Sequence, residues 1–137
     1  MIHRERIELR TSGRGTRDVT REVAAIVVRS GIQKGLCQVF CCHTSASLTV
    51  TENADPAVRR DLERVMSRLA PDGDAYEHDA EGPDDMAAHV RAVLTRPDLT
   101  VPVEAGAPAL GTWQGIFLWE HRLEGHRREL VVTVIGE

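Results

Sequence analysis

Residues 36–69 read LCQVFCCHTSASLTVTENADPAVRRDLERVMSRL, and within them the hydrophobic period changes from two to nearly four. Leu36, Phe40 and Cys42 alternate with Cys37, Val39 and Cys41, which predicts a strand buried on both faces. The alternation continues through an expected bend into His43–Thr51. There Ala46, Leu48 and Val50 share one face, and His43, Ser45, Ser47, Thr49 and Thr51 share the other. Asp55 then stands as a capping residue before Pro56 at the first helical position. Val58, Leu62, Val65, Met66 and Leu69 fall on one side of the helix that follows.

Working outward, Ile7 and Leu9 alternate with charges in a half-exposed strand. Asp18 then caps a helix carrying Val19, Val23, Ile26 and Val27, which Ser30-Gly31 ends. Beyond Pro71-Asp72-Gly73 comes a polar loop to Glu81, and Gly82-Pro83 opens a shorter helix predicted to bury Met86, Val90, Val93 and Leu94. The rest reads as strands at Leu99–Val103, Thr112–His121 and Glu129–Ile135, the last two joined as a hairpin through Leu123–His126. Strands grouped at both ends with helices between them predict a single α+β domain spanning residues 1–137. The expected arrangement is a mixed or antiparallel, sandwich-like sheet with about three helices packed against it.

Composition narrows the function classes. The chain has 137 residues, 42% hydrophobic and 28% charged, with a net charge of −4, and an acidic balance argues against a nucleic-acid partner. The opening MIHRERIELR has no apolar stretch, so no signal peptide is expected, and no run is long enough to cross a membrane. Cys37, Cys41 and Cys42 are odd in number and crowded, a poor disulfide framework that points to a reducing, cytoplasmic compartment.

Three histidines draw attention. The face of His43 offers four small hydroxyls beside an imidazole where a solvated strand would carry long charged side chains; convergent small donors suit a pocket wall. His78 and His89 accompany Asp79, Glu81, Asp84 and Asp85, and Asp85 and His89 are four apart on one helical face. Helix-dipole preference accounts for the acids but not for the imidazoles. Three imidazoles from separate elements are the ligand type that zinc or a similar ion takes, although no diagnostic metal motif is present. In GTWQGIFLWEH, residues 111–121, Trp113, Phe117, Trp119 and His121 project one way and Thr112, Gln114 and Glu120 the other; both tryptophans are also read as core. The cysteines read as small buried hydrophobes, with Cys41 a conceivable partner of His43.

The stretches HTSASLTVTENADPAVRRDLER, YEHDAEGPDDMAAH and LGTWQGIFLWEHR closely resemble the three signatures of the YjbQ family, whose members are often labelled secondary thiamine-phosphate synthase enzymes. The likeness extends over nearly the whole chain. It implies a compact α+β subunit assembled as a homotrimer, with polar positions at His43, Thr44, Ser47, Asn53, His78, Glu81, Asp85, His89, Trp113, Gln114 and Glu120. Some members carry Asn where this chain has Asp85, and the cysteines are not part of the pattern.

The label implies joining a hydroxymethylpyrimidine diphosphate to a thiazole phosphate with release of pyrophosphate, so the expected partner is a small phosphorylated metabolite. A divalent metal, zinc or magnesium, is the expected cofactor. A trimer would supply His43, His78 and His89 for the ion, Arg122 or Arg128 for phosphate and Trp113 for the ring. The dedicated enzymes for that step are (β/α)₈ barrels, for which 137 residues are too few, which leaves room for a different main task. Two further readings stand beside this one. The first is a metal-dependent hydrolase with Glu81 or Glu120 as general base; the second is a non-catalytic module that binds a metabolite or metal.

Overall fold

A computed structural model describes all 137 residues. Eight strands and three helices follow one another as β1 (Ile2–Arg10), β2 (Gly15–Asp18), α1 (Thr20–Ser30), β3 (Lys34–Cys41), β4 (Ala46–Glu52), α2 (Pro56–Leu69), α3 (Asp85–Leu94), β5 (Asp98–Glu104), β6 (Ala107–Pro108), β7 (Gln114–Glu120) and β8 (Arg127–Gly136). Two antiparallel sheets result, a five-stranded one in the order β1-β8-β3-β5-β6 and a three-stranded one in the order β2-β7-β4. The α+β class read from the sequence is the class observed, with every pairing antiparallel.

The two sheets face each other across one core. Cys37, Val39, Leu130, Val132 and Val134 of the larger sheet meet Leu48, Ile116 and Leu118 of the smaller, with Val23, Ile26 and Val27 of α1 completing the cluster. Helix α1 has Val19, not the expected Asp18, at its N-cap; Asp18, one residue earlier, accepts from the Thr20 N–H at 2.8 Å, and the helix stops at Gly31, whose φ of 71° favours glycine. Helix α2 starts where Asp55 Oδ1 accepts from the Ala57 N–H at 2.9 Å. Helices α2 and α3 cover the outer side of the three-stranded sheet: Arg59 of α2 stacks on Phe117 of β7, and Thr95, just after α3, donates to Ser47 of β4.

Four further local expectations are corrected. Strand β3 is buried on one face only: Leu36, Gln38 and Phe40 are exposed, because no helix covers the outside of the five-stranded sheet. Helix α2 buries Met66 while Val65 and Leu69 remain exposed. Helix α3 turns Asp85, Ala87, Ala88 and Arg91 inward and leaves Val93 and Leu94 outside, because its inner neighbours are polar. Strands β7 and β8 do not form a hairpin. They belong to different sheets, and residues 121–126 cross between them.

Candidate functional site

The crossing segment holds the start of α3. Arg122 donates through Nε to Asp84 Oδ2 at 2.9 Å, through Nη2 to the Glu81 carbonyl at 3.0 Å, and lies 3.1 Å from Asp85 Oδ1 through Nη1. The Leu123 N–H also donates to Asp84 Oδ2 at 2.9 Å. Both carboxylates are therefore fixed at the start of α3, where the helix dipole also favours them.

Onto the other Asp85 oxygen, Oδ2, converge His78 Nε2 at 2.7 Å and His89 Nε2 at 3.2 Å. The two rings lie 5.5 Å apart between centroids. His89 comes from one turn further along α3, and His78 from the loop preceding it. The Nδ1 of His89 is 3.0 Å from the Thr44 carbonyl, which can only accept, so Nδ1 carries the proton. A neutral His89 would then turn an Nε2 lone pair toward the Asp85 carboxylate. That juxtaposition is favourable when the ring is protonated or when a cation lies between them. One ligand atom from each of His78, Asp85 and His89 falls within 4.8 Å of the others. The donor set is two imidazoles and a carboxylate, with the far ring nitrogen of His89 oriented by a backbone carbonyl, and it suits a divalent cation. Burial alone would raise the Asp85 carboxyl, but the hydrogen bond from His78 and the charges of His89 and Arg122 outweigh it and hold Asp85 below the usual carboxylate range. Beside His78 opens a cavity of about 440 Å³, lined with Tyr76, Glu77 and Met86.

Other residues expected at this site lie elsewhere or are already engaged. His43 is not in the cluster: its Nε2 accepts from the Glu129 N–H at 2.8 Å, and it lines a separate cavity with Cys42, Thr44 and Arg128. With Nε2 accepting, the ring proton lies on Nδ1, and burial, reinforced by the Arg128 charge, lowers the basicity of the ring. Glu120 is buried and fully engaged: it accepts from Thr11 Oγ1 at 2.6 Å, Arg128 Nε at 2.8 Å, Arg128 Nη2 and the Arg122 N–H. Burial acts to raise its pKa, and these donors reverse the effect and hold it low, which makes it a poor general base. Arg128 is spent on Glu120 and Ser45, and Arg122 on the two aspartates. Glu81 is exposed with an unengaged carboxylate.

Ser47 is buried under α3, 2.8 Å from His121 Nε2. Asn53, Trp113 and Gln114 gather at the opposite end of β4 and β7, where Asn53 Nδ2 donates to the Gln114 carbonyl and Gln114 Oε1 accepts from the Gly111 N–H. The seven residues of β4 separate them from the Thr44 end by roughly 20 Å.

Reasoning from the sequence missed His121. It is wholly buried, packs at a tilt of 43° against Trp119 with centroids 5.3 Å apart, and has a pKa pushed down to about 3, chiefly by burial. The only signal was its place on the apolar strand face with Trp119.

The pattern of the UPF0047 protein YjbQ-like family matches residues 5–137. This chain belongs to the YjbQ (UPF0047) family. UPF0047 protein sll1880 of Synechocystis is 47% identical over 136 residues, covering 98% of this chain and 92% of that one. UPF0047 protein YjbQ of Salmonella typhimurium is 43% identical over the full length of both. Among solved structures, a YjbQ/UPF0047 protein from Clostridium acetobutylicum superposes with a TM-score of 0.90 at 36% identity, over 96% of this chain and 99% of its own; it is described as uncharacterized. A YjbQ-like protein of unknown function from Sulfolobus solfataricus gives 0.88 at 25% identity over both whole chains.

Proposed function

We propose that this YjbQ-family chain is a metal-assisted enzyme acting on a small phosphorylated metabolite, with a divalent cation, zinc or magnesium, on His78, Asp85 and His89. The convergence of two imidazoles on one buried carboxylate oxygen carries this reading. Thiamine-phosphate synthesis, the activity attached to the family label, is the specific form to test first. A bound cation would polarise phosphate oxygens and stabilise a departing pyrophosphate. Around it, Asp85 supplies a carboxylate already ionised near neutral pH, Thr44 and Arg122 fix the ligand geometry, and the cavity beside Tyr76 and Met86 gives an organic ring a partly apolar wall. With Glu120 engaged, Glu81 is the carboxylate free for proton transfer in the hydrolase alternative.

Elemental analysis of protein purified without an affinity tag tests the cluster. Wild type should carry close to one metal per chain, Asp85→Ala and His89→Ala should lose it, and His43→Ala should retain it. Equal metal content in wild type and both cluster variants would sink the site. Incubating metal-loaded protein with hydroxymethylpyrimidine diphosphate and thiazole phosphate tests the reaction. Formation of thiamine phosphate and pyrophosphate, abolished in His89→Ala, supports it, and no product from loaded protein removes it.

A homotrimer fits the same reading. The subunit separates Trp113, Gln114 and Asn53 from the histidine cluster, and assembly is the means by which one subunit's Trp113 end could serve another's His78 end.

A further inference from the structure

Three arginines fall within residues 10–17, and they differ in state. Arg14 turns inward, pairing with Asp72 at 2.6 and 2.9 Å and donating to the His121 carbonyl. Arg10 and Arg17 are exposed and have no carboxylate partner; Arg17 instead donates to the Arg10 carbonyl at 3.1 Å, tying the two ends of the segment together. They enclose a cavity of about 290 Å³ whose walls are residues 10–17 alone, with no acidic and no hydrophobic residue among them.

The segment also presents free donors. The consecutive backbone N–H groups of Ser12, Gly13 and Arg14 have no acceptor within the chain, and neither the Ser12 nor the Thr16 hydroxyl has a partner. Gly13 and Gly15 hold φ values of 130° and 135°, a conformation open to glycine and strained for other residues. At Gly13 a Cβ would also lie 2.7 Å from the Leu123 carbonyl oxygen. The loop is therefore seated directly on the turn whose Arg122 and Leu123 hold Asp84 and Asp85. In a chain of net charge −4, this is a local concavity of uncompensated positive charge and unpaired N–H groups, the chemistry that binds tetrahedral oxyanions.

We propose that the Arg10–Arg17 loop is an anion site that takes a phosphate group, lying one turn of chain away from the His78–Asp85–His89 cluster. Its existence rests on the loop alone, and its role as the anchor of the substrate rests on the metal-enzyme reading above. It also supplies what Arg122 and Arg128 cannot, since their charges are already neutralised by carboxylates.

The test is an amide-resolved NMR titration of the ¹⁵N-labelled full chain with inorganic phosphate, pyrophosphate and phenyl phosphate. Each is added once to chelator-stripped protein and once with zinc present. The Ser12, Gly13 and Arg14 amides should shift saturably in both preparations. Arg10→Gln/Arg17→Gln, exposed positions whose far-ultraviolet circular dichroism should match wild type, should weaken binding by about tenfold or more, the scale of losing charge-assisted hydrogen bonds. Tighter binding of phenyl phosphate assigns the site to a phosphorylated metabolite; preference for phosphate or pyrophosphate assigns it to a released inorganic product. Absence of saturable shifts at these three amides, or unchanged affinity in the double variant, overturns the proposal. Loop binding without any zinc binding would remove the metal reading and leave the anion site standing.

Discussion

Glu120 and Asp85 are both buried carboxylates, yet their surroundings give them different roles. Glu120 is closed in by donors from Thr11, Arg122 and Arg128, so removing its charge leaves the buried Arg128 guanidinium without a counter-ion. Glu120→Gln should cost about 3–5 kcal/mol in urea denaturation. Asp85 keeps one oxygen facing two imidazoles, the geometry on which the proposed cation site rests. His121 carries the clearest pH signature. Its folded pKa of about 3 lies below the ordinary histidine value of 6.5, so between those values the unfolded chain binds a proton that the native chain refuses. Stability should be fully present above that window and fall as pH drops through it. His121→Gln should flatten the slope between roughly pH 6 and 4 in denaturation midpoints; an unchanged slope would show that other groups set it. None of these roles was legible from residue type. A glutamate amid apolar strand residues was visibly unusual, but the partner that explains it, Arg128, reaches it only through the chain reversal at residues 121–126.

At the scale of elements, start and stop signals proved readable and buried faces less so. Asp55 and Gly31 do locally what their types dictate, because capping needs only neighbours along the chain. Asp55→Ala should accordingly lose about 1 kcal/mol, measured by thermal or chemical denaturation. The inward faces of α2 and α3 defy the hydrophobic pattern because the layer between them and the three-stranded sheet is polar. There Arg91 donates to Glu63 at 2.5 Å, and Glu63 accepts the Trp119 indole N–H at 2.7 Å. Arg91 is fully buried, so Arg91→Ala should be several times more damaging than the cap variant, about 3 kcal/mol or more, because it empties a filled site and leaves Glu63 with only the more distant Arg14, at 3.8 Å. An effect no larger than the cap's would mean that Arg14 and Trp119 suffice to hold Glu63 in this layer.

At the scale of the whole molecule, one surface stands out. Ile2, Ile135, Leu36 and Pro102 lie in direct register across four strands on the uncovered face of the five-stranded sheet, with Phe40 and Val131 paired two rungs along. Ile2, Leu36, Phe40 and Ile135 are each more than two-fifths exposed. An apolar face of this extent is rarely left open to water, which favours self-association and the proposed homotrimer. Sedimentation should give about three times the 15.1 kDa chain mass, and Leu36→Glu/Ile135→Glu should reduce it to the monomer. A monomeric wild type would remove the shared-site reading of Trp113 and the histidine cluster.

The sequence by itself determined the α+β class, the stop of α1 at Gly31, the capped start of α2 at Asp55, the run of most strands and the family, because each depends on residues close together in the chain or on whole motifs. It also put Asp85 and His89 on one helical face, four residues apart. Only the tertiary structure decided that His78 joins them and that His43 turns to Glu129. It likewise decided that β7 and β8 part into different sheets and that Arg122 and Arg128 are spent on aspartate and glutamate while Arg10 and Arg17 remain free. Charge neutralisation and hydrogen-bond pairing are contacts between distant positions, and a one-dimensional pattern records which groups exist without recording which of them meet.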